Sequence, residues 1–138
     1  MFMIKKILIL TLTLLIVSCS SVKNEPGSIA EAFVKHYYKF MNTEEAEKYT
    51  AMMAKNKIDE ELKSLRESRA TNPNMEIKRS SVSYSLEDTK IDKDMAFITY
   101  HLSIMPNGGK AFDRMALITV KNDKGNWKVI DYSEANRD

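Results

Sequence analysis

The side chains able to do chemistry are few and scattered. The two histidines are His36 and His101, and Asp113 is the carboxylate that could complete a metal site with them. Two imidazoles and a carboxylate suit a first-row transition metal. Neither histidine has a second ligand three or four residues away, so no local metal-binding pair exists. The sequence therefore gives no reason to expect a metal, and no cofactor of any kind is expected. The nine methionines show no Met-x-Met or Met-x-x-Met spacing beyond Met1 and Met3 and read as core filler rather than copper ligands. No Gly-x-Ser-x-Gly elbow and no phosphate-cradling glycine loop occurs.

The binding candidates are Tyr37, Tyr84 and Tyr100, each on an apolar stripe, together with Arg114. Tyrosine hydroxyls supply the sparse polar groups of an apolar ligand cavity. The same rings can equally fill a core while their hydroxyls find a backbone partner. Arg114 shares a strand face with Phe112, Ala116 and Ile118, where a guanidinium could clamp a carboxylate. It could also pack its stem and send its head to water.

Cys19 is the one cysteine of the chain, which excludes an internal disulfide framework. It follows a basic start with Lys5 and Lys6 and the apolar run Ile7–Val17. As a helix that run would span about 16 Å, half a hydrocarbon core, which suits a secretory signal rather than a membrane anchor. Ile16-Val17-Ser18-Cys19 resembles the bacterial lipobox. The resemblance implies cleavage before Cys19, with residues 1–18 a signal peptide and the Cys19 sulfur carrying a diacylglyceryl group. Two or more acyl chains then hold the protein to a membrane, palmitate being one such chain, because each buried CH₂ contributes about 0.8 kcal/mol. Ser20 and Ser21 follow, with no Asp directly after the cysteine, which implies outer-membrane sorting in a Gram-negative cell.

Cleavage removes Lys5 and Lys6 from the 21 Lys+Arg of the chain, leaving 19 against 19 Asp+Glu. The formal charge of +2 thus belongs to the signal. Nothing supports a nucleic-acid partner. Residues 19–27 read as the lipidated cysteine and a flexible tether, and 28–138 as a single domain. About 110 residues bury roughly two thirds of their unfolded surface, enough for an independent core.

Helical periodicity dominates the first half of that domain. Ser28–Glu31 reads as a capping box opening a helix with the stripe Ile29, Phe33, Tyr37, Phe40, Met41. Asn42–Glu45 reads as a second box, with Ala46, Tyr49 and Met53 on one face. A third helix carries Ile58, Leu62 and Leu65 after a break near Lys55–Lys57, and Thr71-Asn72-Pro73-Asn74 stops it. The period then becomes two. Val82, Tyr84 and Leu86 alternate, Asp88–Asp94 reads as a connection, and Ala96–Ile104 forms a long strand. Pro106–Gly109 is a turn, Ala116–Val120 a strand, and Trp127–Tyr132 closes the sheet. Helices first and strands second predict an α+β fold, with helices on one face of a curved antiparallel sheet.

Two stretches carry a family resemblance. Ala32–Met41 followed by Thr43–Tyr49 resembles the opening helices of the nuclear transport factor 2-like superfamily. Asp123–Ile130, with a Gly turn before Trp127-Lys128, resembles the closing hairpin of a lumazine-binding-like group of bacterial lipoproteins. The resemblance implies a cone-shaped, cystatin-like fold enclosing a pocket. Such a fold serves binding proteins and enzymes alike, so it does not give function. Three expectations follow in order. The first is a lipid-anchored cell-envelope module holding a small apolar or amphipathic ligand. The second is an envelope protein–protein interaction module with a filled core. The third is an isomerase or dehydratase, ranked last because the sequence singles out no inward carboxylate or histidine for proton transfer.

Overall fold

The computed structural model describes residues 21–73 and 80–137. Cys19 and residues 1–18, expected to be a signal peptide, lie outside the described residues.

The chain enters through α1 (Pro26–Val34). Pro26 sits in the first helical turn, where its fixed φ favours the helix and its missing N–H costs nothing. The helix consequently starts two residues before the expected Ser28, and Ser28 caps nothing. The preceding segment is also anchored. Asn24 donates from Nδ2 to the Gly125 carbonyl, and its Oδ1 accepts from the Trp127 N–H at 2.9 Å.

Lys35–Lys39 continue α1 as one π-helical turn, with the Phe40 N–H donating to the Lys35 carbonyl. A π turn adds a residue to the repeat and rotates everything after it around the helix. Tyr38 is therefore buried beside Tyr37, while Phe40 and Met41, expected on the apolar stripe, are exposed. The chain leaves this turn through Met41 at φ 51°.

Asn42 takes the N-cap position the sequence predicts, but the return half of the box does not form: the Asn42 N–H donates to the His36 carbonyl and Glu45 pairs with Lys48. Asn42 Oδ1 accepts from the Glu45 N–H at 3.1 Å and opens α2 (Thr43–Glu47). Then α3 runs from Met52 to Thr71 without the break expected at Lys55–Lys57. Those lysines are solvated or tied down. Lys55 pairs with Glu47 and, at i,i+4, with Asp59. Lys57 reaches across to Asp131 and the Tyr132 carbonyl. The stripe Ala54, Ile58, Leu62 is buried, and the helix stops at the Asn72-Pro73 signal.

Four strands follow: β1 (Ser81–Asp92), β2 (Met95–Met105), β3 (Phe112–Asp123) and β4 (Asn126–Asn136). They form an open antiparallel sheet in the order β1-β2-β3-β4. The expected connection Asp88–Asp94 is mostly strand: β1 continues through a bulge between Leu86 and Asp88, and only Lys93-Asp94 turn. The helices cover one face of the sheet. Ala96, Ile98, Tyr100 and Leu102 of β2 meet Ala116, Ile118 and Val120 of β3 and Val129 and Tyr132 of β4 under Phe33 and Val34. The fold is α+β, as the sequence predicts. The loop between α2 and α3 extends the β4 edge. The Ala51 N–H donates to the Val129 carbonyl, and the Val129 N–H to the Tyr49 carbonyl. Among the described residues, no helix is long and apolar enough to cross a membrane.

Candidate functional site

The π turn presents two adjacent tyrosines to the interior, which a regular helix would aim about 100° apart. Tyr37 lies against Phe33 with stacked rings 5.3 Å apart, and Tyr132 from β4 meets both, at 5.1 Å from Tyr37 and 5.0 Å from Phe33. This aromatic cluster joins α1, the π turn and β4. The Tyr37 hydroxyl donates to Glu61 Oε1 at 2.6 Å, and the Tyr132 hydroxyl donates to the same oxygen at 3.3 Å. Glu61 precedes Leu62 on α3, so a carboxylate stands at the rim of the buried stripe with two phenols holding it.

Tyr38 meets the edge of Tyr37 at 4.8 Å. It is only 8% exposed, yet its hydroxyl has no hydrogen-bond partner among the described residues. Buried polar groups are nearly always paired, so an orphan of this kind marks a place to look for a partner. Tyr38 forms a wall of an open groove of about 490 Å³ between α3 and β4, together with Lys57, Glu60, Glu61, Tyr132 and Glu134.

Burial and the negative charge around the cluster keep its phenols protonated. Burial is the main cause at Tyr37, followed by its hydrogen bond to Glu61, and its hydroxyl is held far above the ordinary tyrosine range. Burial and then the Glu134 charge raise Tyr38. Tyr132 is pushed up to about 12, again chiefly by burial. At neutral pH all three are protonated hydroxyl groups, of which Tyr37 and Tyr132 donate to Glu61, and none is a phenolate base. The phenols of Tyr37 and Tyr132 therefore hold the Glu61 carboxylate in place.

The charges of the groove are unevenly matched. Lys57 Nζ donates to the Tyr132 carbonyl at 2.6 Å, lies 3.2 Å from Asp131 Oδ1, and sits 4.6 Å from the centre of the Tyr132 ring. Arg114 Nε lies 3.2 Å from Glu134 Oε2 without the alignment of a hydrogen bond, and its side chain is one-third exposed. Arg114 is thus a partly exposed partner of Glu134. Glu60 and Glu61 have no cationic partner within ion-pair distance among the described residues.

The four pocket candidates do not line one cavity. Tyr37 belongs to the cluster behind the groove, and Arg114 stands near it through Glu134. Tyr84 and Tyr100 meet edge to face at 5.9 Å at the other end of α1, where they line a separate hollow of about 420 Å³ with Glu31. There the Tyr84 hydroxyl donates to Glu31 Oε1 at 3.3 Å. Burial raises both hydroxyls, with the Glu31 charge the next cause.

The histidines are not brought together either. His36 stacks on Tyr49 on the helical side. His101 lies on the outer sheet face, 2.8 Å from Asp113 Oδ1.

Sequence reasoning missed Tyr38, Glu61, Tyr132 and Glu134. A signal existed for Glu61, an acidic residue directly flanking the stripe Ile58–Leu62. Tyr132 was visible as a strand residue but not as a partner of the helices. Compared with known proteins, the chain matches no protein-family model, and no curated protein matches it.

Proposed function

We propose that this protein is a lipid-anchored cell-envelope module that binds a small amphipathic ligand in the groove between α3 and β4. The observation that carries the reading is the buried, unpartnered Tyr38 hydroxyl at the groove wall, beside a carboxylate fixed by Tyr37 and Tyr132. A preformed polar site flanked by aromatic walls is what a small ligand uses for orientation. We read the fold as a nuclear transport factor 2-like variant. Helices lying across one face of a four-stranded meander support that reading, with the interior of the cone taken up by Phe33, Tyr37 and Tyr132.

The anchor rests on the Ile16–Cys19 pattern. With Asn24 pinned to the β3–β4 turn, the segment from Cys19 to Asn24 reaches at most about 18 Å when extended. The domain would then ride close to the membrane with that turn nearest the lipid. Cys19→Ser is expected to release the protein from the membrane fraction. Lipid labelling that persists in this variant would overturn the anchor.

A second reading has its own observation. Phe97 and Leu117 lie on the sheet face that no helix covers, 45% and 40% exposed. Exposed apolar side chains on one sheet face suit contact with another envelope protein.

Native mass spectrometry of protein extracted gently from its own cells separates the two. A reproducible small-molecule adduct on the lipidated chain supports the groove. A bare chain that carries one protein partner supports the sheet face instead.

A further inference from the structure

We propose that the groove selects a primary ammonium group borne on a short apolar stem. This deepens the binding reading above and rests on it.

Lys57 is committed to Asp131 and to the Tyr132 carbonyl, and Arg114 to Glu134. Glu60 and Glu61 remain as wall carboxylates without a cationic partner among the described residues, so the unpaired charge of the groove is negative. An anionic ligand would meet like charge there and a neutral one would leave it uncompensated.

Hydrogen bonding narrows the class. Glu61 Oε1 already accepts from two phenols, which leaves Oε2 to accept from a ligand. The Tyr38 hydroxyl has free acceptor capacity and no partner, and it is more than nine-tenths buried. A primary ammonium has three donors and no acceptor, which suits a groove walled by Glu60, Glu61 and Tyr38. A quaternary ammonium has no N–H and would leave Tyr38 orphaned.

The Tyr132 face is taken by the Lys57 Nζ at 4.6 Å, so the charge of a ligand ammonium falls to the wall carboxylates rather than to that ring. The Tyr38 and Tyr132 rings also offer apolar surface for a stem.

The test titrates the full chain, purified in detergent, with n-hexylammonium, hexanoate and hexanol by isothermal calorimetry. Hexylammonium is expected to bind at least about ten-fold more tightly than either of the others. Tyr38→Phe and Glu61→Gln are each expected to weaken it by about ten-fold or more. Glu61→Gln keeps an oxygen for Tyr37 and Tyr132, so it removes charge without removing their acceptor. Hexanoate or hexanol binding as tightly as hexylammonium, with that binding lost when Ser64→Trp fills the groove, overturns the ammonium preference and leaves the groove a binding site. Binding of none of the three overturns both. Hexylammonium binding that is unchanged in Tyr38→Phe and Glu61→Gln places it elsewhere on the molecule and overturns the proposal.

Discussion

The Tyr37 hydroxyl donates to Glu61 Oε1 across 2.6 Å, tying the π turn to the middle of a helix that begins fifteen residues later in the chain. With Tyr132 on the same oxygen, three separate elements converge on one carboxylate.

Removing the Tyr37 hydroxyl tests that convergence. Tyr37→Phe keeps the ring against Phe33 and Tyr132 and deletes the shorter of the two hydrogen bonds to Glu61. Hydrogen bonds to charged groups contribute roughly 1.5–3 kcal/mol, and the partial burial here places the expected loss at about 1–2 kcal/mol. Urea unfolding measures it. An unchanged midpoint would mean that the contact does not help hold α3 to the π turn.

The neighbouring residue gives the opposite expectation. The Tyr38 hydroxyl is desolvated and has no partner, so Tyr38→Phe removes a cost rather than a contact. Stability should stay level or rise by up to about 1 kcal/mol. A loss as large as that of Tyr37→Phe would show that the hydroxyl has a structural partner and would remove it from the ligand argument.

Alkaline pH should loosen the fold. Tyr37, Tyr38, Tyr84, Tyr100 and Tyr132 all hold their protons above the ordinary value of 10.0, with burial the first cause in each. In that range the unfolded chain releases protons that the folded chain keeps. A raised folded pKa therefore contributes stability that is complete below pH 10 and falls as pH rises; Tyr132 loses its share between 10.0 and about 12. Unfolding followed by circular dichroism, with phenolate absorbance read alongside, should show a midpoint that drops from about pH 10 upward. A flat profile to pH 12 would contradict the buried environment of these rings.

The parts of the fold that were legible in the sequence are those decided locally. Asn42 and Glu45 form their cap because both partners lie within one turn. The alternation of Ala96 to Leu102 survives because one face is buried and a slip by one residue would invert it. The misread parts were decided by distant contacts. The polar stretch after Leu86 is strand because β2 pairs with it, although no helix covers its inner face and Ile91 remains exposed. The regular 3.6-residue stripe could not anticipate a π turn, so Phe40 and Met41 were assigned to the core in place of Tyr38. Glu61 flanks the buried stripe Ile58–Leu62, but it is one of four carboxylates in a charge-rich helix and nothing local separates it from the others. Its role arises from Tyr37 and Tyr132, which are close to it only in the folded chain.

Whether the groove between α3 and β4 holds a ligand is tested by one comparison. Ser64 is an exposed α3 residue at the groove wall, so Ser64→Trp fills the groove without touching the core. Native mass spectra of the wild-type protein and of this variant, each extracted from its own cells, should show a small-molecule adduct on the first and none on the second. The same adduct on both, or on neither, would contradict a ligand site between α3 and β4.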